Sequence, residues 1–343
     1  MGKVNPIVLL QMLMQYHNYS TGSRVFKFVK HGTMRKHRET EEETASRKSV
    51  LSPEITKLAE KTIKDQLHDA LEGKVGKVYV DAAMKSIAVP LQTVASQSGF
   101  DVLPTGSRVK IPAGKKVRAF TYWERVNDID LSCFALTEDG YQEEFSWRSM
   151  WDKQSDDITF SGDETSGYDG GSEYFDISLD RFKAKHPNYR YIVFCDNVFT
   201  GGGSTHFKDC FCKAGFMMRD EEDSGEIYKP KTVKTSFRVD GDTSFSYMFA
   251  IDLDTREMVW LNLSREGNRA VAGEEKMDFL LQYLTMTEVF NVYDLFSWCG
   301  ELSNVYDAEV IVSDYNFPAE YVEGKEVIRS YDIDKIMKYI QPS

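Results

Sequence analysis

The sequence predicts a mainly β protein: an antiparallel β-sandwich with α-helical and mixed extensions at its N- and C-terminal ends. Two observations carry this. Between residues 102 and 264 about ten short apolar segments read as strands. The breaks between them are turn chemistry: "EDG", "SGDETSGYDGG", "TGGGS", "VDGD" and "DLDT". Outside that region, residues 3–17, 52–73 and 274–302 carry apolar residues at helical spacing. Many short strands separated by turns are best buried as two packed sheets.

Taken in order, residues 3–17 predict a short helix with Val4, Ile7, Val8, Leu10, Met12, Leu13 and Met14 on more than one face. "RVFKFVK" (24–30) alternates like a strand. "HGTMRKHRETEEETASRKS" (31–49) is dense in both charges and reads as a solvated linker. Ser52 suits an N-cap and Pro53 the first helical position. Ile55, Leu58, Ala59, Ile63, Leu67, Ala70 and Leu71 then repeat at helical spacing until Gly73 stops the helix. "KVYVDAA" and "KSIAVPLQ" read as a pair of strands, with Pro90 at an edge or strand end.

The sandwich strands follow: "RVKIP", "KVRAFTYWE", "IDLSCFALT", "EEFSWR", "DITFSG", "SEYFDISL", "YRYIVFCDNV", "CFCKAGFMMR", "TSFRVDG", "SFSYMFAIDL" and "EMVWLNL". Phe134, Phe175, Phe194, Phe211, Phe216, Phe249 and Trp260 are the expected core aromatics. Residues 274–302 read as helix broken near 285–287, "AEVIVSDY" as a strand and "DIDKIMKYI" as a closing helix. The expected organisation is therefore 1–50 (helix, strand and charged linker), 51–100 (helix plus strand pair), 101–266 (the sandwich) and 267–343 (a helical and mixed extension).

Composition narrows the function. The chain has 343 residues, 41% hydrophobic and 28% charged, which suits a globular protein. Its net charge of −12 argues against a nucleic-acid partner, which needs a basic face. No run of 18 apolar residues is present, and the apolar patch at 7–14 lacks the flanks of a signal peptide. Five cysteines (Cys133, Cys195, Cys210, Cys212, Cys299) form no CxxC pair and read as buried reduced thiols, so a cytoplasmic location is expected.

The charge is concentrated. Residues 128–176 hold fourteen carboxylates against Arg148 and Lys153, a net −12, while the other 294 residues balance with 40 acidic and 40 basic. Such crowding repels itself unless a cation sits in it. Asp128 and Asp130 are two apart, on one face of a strand and roughly 7 Å apart by strand rise. In "FSGDETSGYDGGSEYFDISL" the glycines let backbone carbonyls turn inward beside Asp163, Asp169 and Glu173. Carboxylates and carbonyls in such a mixture suit a hard cation, Ca²⁺ foremost. Asp139, Asp152, Asp156 and Asp157 read as surface turn residues.

Asp-x-Asp-x-Ser before an apolar strand, followed by Ser-Gly-Asp and a glycine/aspartate loop ending in "FDISL", resembles the TerD domain of tellurium-resistance and general stress proteins. The likeness extends through "YIVFCDNVFTGGGSTHFKDCFCKAGFMMRDEEDSGEI" and "SFRVDGDTSFSYMFAIDLDTREMVWLNL", covering residues 101–265. It implies a sandwich with paired calcium sites at one end. The ligands it implies are Asp128 and Asp130 from the first motif, Asp163, Asp169 and Glu173 from the loop, and Asp196 at the end of "YIVFCD". The loop is about one residue shorter than the family pattern, and Gly171 and Ser172 stand where the family tends to have further acids, so one of the two sites is expected to be weak or missing. The family implies a non-enzymatic, calcium-binding stress-response module meeting protein partners or a membrane surface.

Two other readings stand beside it. Trp123, Trp147, Trp151 and Tyr168 near the acidic end suit stacking on sugars, as in a calcium-dependent carbohydrate-binding sandwich, although Trp147 and Trp151 also suit core packing. Paired carboxylates also serve glycoside hydrolysis, but here they are crowded rather than set apart as two unlike groups. His206 is close to Cys210 in sequence and a Cys–His pair is conceivable, but such adjacency is not the usual route to a dyad and a surface histidine in a glycine-rich loop is the favoured reading; "TGGGST" lacks the GK[ST] of a phosphate loop.

Overall fold

A computed structural model describes residues 4–17, 25–30, 33–38, 40, 42–43, 45–46, 53–91, 103–138, 140, 142–199, 205–219, 233–265 and 278–341. The Ser52 cap, Asp139, the side chain of Asp152, most of the charged segment after residue 38, and the glycines of "TGGGS" lie outside the described residues. The chain divides into two compact units. One comprises Met1–Thr93, Gly106–Arg108 and Met277–Ser343, and the other Val94–Thr105 and Val109–Lys276. The two terminal stretches thus belong to one unit.

That unit begins with a helix, Pro6–His17, capped by the Asn5 side chain, which accepts from the Ile7 N–H at 2.9 Å. Leu9, Leu10, Leu13 and Met14 are buried, while Val8 and Met12 are exposed. Strands β1 (Val25–Lys30) and β2 (Thr33–Arg38) pair antiparallel. The first part of the expected linker is therefore a strand, paired with β1 from Thr33 opposite Lys30 to Arg38 opposite Val25. The helix Pro53–Leu71 buries Ile63, Leu67 and Leu71, and Gly73 ends it at φ +78°. Ile55 and Leu58, expected on its buried face, are exposed.

Strand β3 (Lys77–Val80) forms as expected, but among the described residues no second strand pairs with it locally. Asp81 instead caps a 3-10 turn, Ala82–Ser86, by accepting from the Ala83 N–H. The partners of β3 come from the other end of the chain. β15 (Glu301–Leu302), β16 (Val310–Val312) and β17 (Glu326–Ile328) make a parallel sheet in the order β15-β3-β16-β17. The C-terminal helical stretch breaks at Thr285 as expected, giving Asp278–Leu284 and Met286–Val289, and continues in Val292–Cys299. The closing helix Ile333–Ile340 buries Ile336, Met337, Tyr339 and Ile340.

The other unit is the sandwich. One sheet has the order β4 (Arg108–Lys110), β14 (Glu257–Arg265), β13 (Phe245–Asp252), β10 (Tyr191–Phe199), β6 (Asp128–Leu136), β7 (Gln142–Phe145). The second has the order β12 (Val233–Arg238), β11 (Phe211–Arg219), β5 (Lys116–Glu124), β9 (Gly171–Ile177), β8 (Ile158–Phe160). The ladders from β6 to β14 and from β8 to β12 run antiparallel. Inner residues of both sheets form one core in which Phe194 stacks on Phe249 at 4.8 Å and packs against Phe175 at 6.4 Å. Phe216 and Trp260 are buried in this core as expected; Phe134 is buried outside it, against Tyr247 on the opposite face of its sheet, and Phe211 is only half-buried against Tyr122. All five cysteines are buried free thiols. Among the described residues no helix is long and apolar enough to cross a membrane.

Phe194 touches rings from both sheets, so Phe194→Ala leaves a cavity at their junction. It is expected to lower stability by about 3–5 kcal/mol. Urea unfolding followed by tryptophan fluorescence measures this, and a loss below about 1 kcal/mol would contradict a shared core.

Candidate metal centre

The site begins where β6 begins. Ile129, Leu131, Cys133 and Ala135 enter the core between the sheets, so alternation places Asp128, Asp130 and Ser132 on the opposite face. β7 pairs only with Cys133–Leu136, which leaves the first half of β6 with one uncovered edge. The 161–170 loop between β8 and β9 reaches this region. It is tied to the β5–β6 turn by Gly167 N–H to Asn127 O (2.8 Å) and by Arg125 N–H to Tyr168 O (2.8 Å). The buried indole of Trp123 lies against the loop so closely that a Cβ at Gly171 would come within 2.4 Å of it, and one at Gly167 within 2.6 Å. Only glycine fits there.

One carboxylate oxygen each from Asp128, Asp130 and Asp163 lie within 4.8 Å of one another. Oxygens bound to a single Ca²⁺ at about 2.3–2.6 Å are at most about 5 Å apart, so the three fit one ion. Asp128 and Asp130 are 6% and 4% exposed, while Asp163 is exposed. Asp130 Oδ2 accepts from Asn197 Nδ2 at 3.2 Å. Asp128 Oδ1 is buried with no hydrogen-bond partner among the described residues.

The electrostatics are one-sided. Burial, then the charges of Asp130, Asp163 and Glu164, push Asp128 up to about 7. Burial also raises Asp130 to about 6, with the Asn197 hydrogen bond opposing and Asp163 adding. Every charge acting on this pair is negative. A hard divalent cation supplies what the site lacks, and an all-oxygen donor set suits Ca²⁺, Mg²⁺ or Mn²⁺ chemistry.

Three of the six residues singled out in the sequence, Asp128, Asp130 and Asp163, come together. The other three stand outside the cluster. Glu173 is fully buried: its Oε2 accepts from the Leu131 N–H at 2.8 Å and its Oε1 from the Glu164 N–H at 3.0 Å. Burial first, then Asp130 and Asp163, drive it up to about 9 against the pull of those two N–H groups. Asp196 faces the core, where it accepts from Thr121 Oγ1 at 2.8 Å and Cys212 Sγ at 3.6 Å. Burial raises it to about 8 despite those bonds. Asp169 is exposed in the turn before Gly170.

Several contributors escape a sequence reading. Glu164 acts on Asp128 while its own carboxylate is held low by the Ser166 hydroxyl and N–H. Asn197 meets Asp130 only because the β10–β6 register pairs them. His68, Asp69 and Glu72 also converge within 4.8 Å at the end of their helix, all exposed. Their i, i+1, i+4 spacing was the available signal.

Other expectations change. Trp123 is wholly buried and so is closed to a sugar. Trp151, for which core packing was also weighed, is 78% exposed, and Trp147 and Tyr168 are exposed as well. Asp157 is not a surface residue: it is buried and paired with Lys185 at 2.7 Å and His186 at 3.3 Å. His206 faces Asp242 at 3.4 Å, while the Cys210 thiol donates to Phe207 O, so the two do not form a dyad.

No protein-family model and no curated protein matches the chain. Two solved structures are similar in part. One is a homologue of telluride resistance protein (TerD) from Streptomyces coelicolor A3(2): 14% identity over 46% of this chain and 96% of that one, TM-score 0.33. The other is a protein of unknown function: 14% identity, 45% and 94% coverage, TM-score 0.30. Likeness at this level carries no argument about function.

Proposed function

We propose that this protein is a non-enzymatic calcium-binding module whose Asp128, Asp130 and Asp163 hold one Ca²⁺ between the start of β6 and the loop before β9. The observation that carries this reading is the buried, unpartnered Asp128 Oδ1 inside a cluster of three carboxylate oxygens. A buried carboxylate oxygen with no donor is costly, and a cation removes the cost. Three protein oxygens fall short of the six to eight that Ca²⁺ takes, and the exposed side of Asp163 leaves room for water to supply others. The paired Asp-x-Asp and glycine/aspartate-loop motifs, which resemble the TerD domain, support the same reading and with it a stress-response role. On that role, open coordination positions face a protein partner or an anionic membrane surface.

Calcium titration by calorimetry, with melting curves, tests the site. Wild-type protein is expected to bind and to melt higher, by about 2.7 kcal/mol of stabilisation at a free Ca²⁺ one hundred times Kd. Asp128→Asn and Asp130→Asn are expected to lose both effects. Silence of the wild type in both measurements would end the calcium reading.

A pH dependence follows from the raised carboxyls. Asp128 titrates near 3.8 unfolded and about 7 folded, so between these values the metal-free folded state holds the extra proton. Its contribution to stability is complete below about pH 4 and declines as pH rises to about 7. In chelator, Asp128→Asn removes this decline, so its melting temperature relative to wild type is expected to rise from pH 5 to pH 8. With saturating Ca²⁺ the order reverses, since the ion needs the ionised carboxylate. A difference that stays flat with pH in chelator would contradict the buried charge.

A further inference from the structure

We propose that Glu173 is a positioning residue of this cation site and not one of its ligands, an inference that rests on the calcium reading above. Its carboxylate is fully buried and lies outside the cluster formed by Asp128, Asp130 and Asp163. Both of its oxygens are engaged by backbone, and the two donors are telling. Leu131 follows Asp130, and Glu164 follows Asp163. One carboxylate therefore holds the backbone beside a ligand on the strand and the backbone beside a ligand on the loop. The same loop is also tied to the residue before Asp128 by Gly167 N–H to Asn127 O (2.8 Å), but only Glu173 bonds the backbone next to Asp130 and next to Asp163 with one side chain among the described residues.

The uncovered edge of β6 explains why a carboxylate is used. β7 stops at Cys133, so the Leu131 N–H lies beyond the last ladder bond on that side. Glu173 supplies the acceptor that a neighbouring strand would otherwise give. Swinging the carboxylate to an ion would leave that buried N–H unpaired. The brace is itself braced. Glu173 sits beside Thr121 in the β5–β9 ladder, and Leu131 sits beside Asp196 in the β6–β10 ladder. Thr121 donates to Asp196 across the sheets. Two ladders and two side-chain bonds close a circuit through β5, β9, β6 and β10. This circuit, with the Gly167–Asn127 bond, holds the backbone beside Asp130 and Asp163.

Terbium luminescence on the full chain separates a ligand from a support, because decay rates in H₂O and D₂O count the waters on the bound ion. Wild type is expected to bind Tb³⁺ in competition with Ca²⁺. Glu173→Gln, whose amide accepts one N–H but meets the other with its NH₂, is expected to bind about 10–100-fold more weakly with the same water count. Asp130→Asn is the ligand control and is expected to gain water on whatever ion it still holds. A gain of water in Glu173→Gln, or an unchanged affinity, overturns the proposal while leaving the calcium site standing. A wild type that binds no Tb³⁺ and no Ca²⁺ removes the calcium reading itself. Should Glu173→Gln fail to fold, amide exchange of the wild type decides. The Leu131 and Glu164 amides are expected to stay protected on saturation with Ca²⁺, and loss of their protection would overturn the proposal.

Discussion

A carboxylate taken out of water must find donors, an opposite charge or a proton. The sandwich buries four in one region, and the way each is satisfied organises everything around it. Glu173 and Asp196 are satisfied by hydrogen bonds from the protein, through the Leu131 and Glu164 N–H groups in one case and Thr121 and Cys212 in the other. Among the described residues Asp130 has a single amide donor, Asn197, and Asp128 Oδ1 has none. The polarity of the site thus runs from closed at the core to open at the strand end, where the proposed cation would sit.

The same arrangement links packing to function. The loop that carries Asp163 is attached at Asn127, at Arg125, at Glu173 and against the face of Trp123. Anchoring at several points preorganises a loop that would otherwise have to order itself around the ion at the moment of binding. Asp163 stays exposed, so the proposed ion site would meet solvent on one side. Exchange of the ion and contact with a partner would both use that side.

Much of the fold was legible. All eleven segments expected between residues 102 and 264 contain a strand, although "EEFSWR" is strand only to Phe145 and then turns. The helix at 53–71 was clear from Ser52, Pro53 and apolar spacing, and the closing helix at 333–340 was legible in "DIDKIMKYI". The failures were local competition or distance. Residues 85–92 looked like a strand, but the Asp81 side chain starts a tight turn first. The partners of β3 lie more than 200 residues away, at Glu301–Leu302 and Val310–Val312, and no local pattern reports a parallel pairing across such a span.

For the site, period two was enough to place Asp128 and Asp130 on one face, and the crowding of acids in residues 128–176 was enough to demand compensation. Residue order is enough to show that negative charge, strand ends and a glycine-rich turn coincide. Tertiary structure alone decided which acids share a centre. Asp163 joins Asp128 and Asp130 because the loop is bonded to the β5–β6 turn, while Asp169, six residues on, does not. Glu173 and Asp196 turn inward because their strand faces are core faces. The reason is physical: a sequence fixes spacing along the chain, whereas ligation and hydrogen bonding depend on separations across it, and only the packed sheets set those.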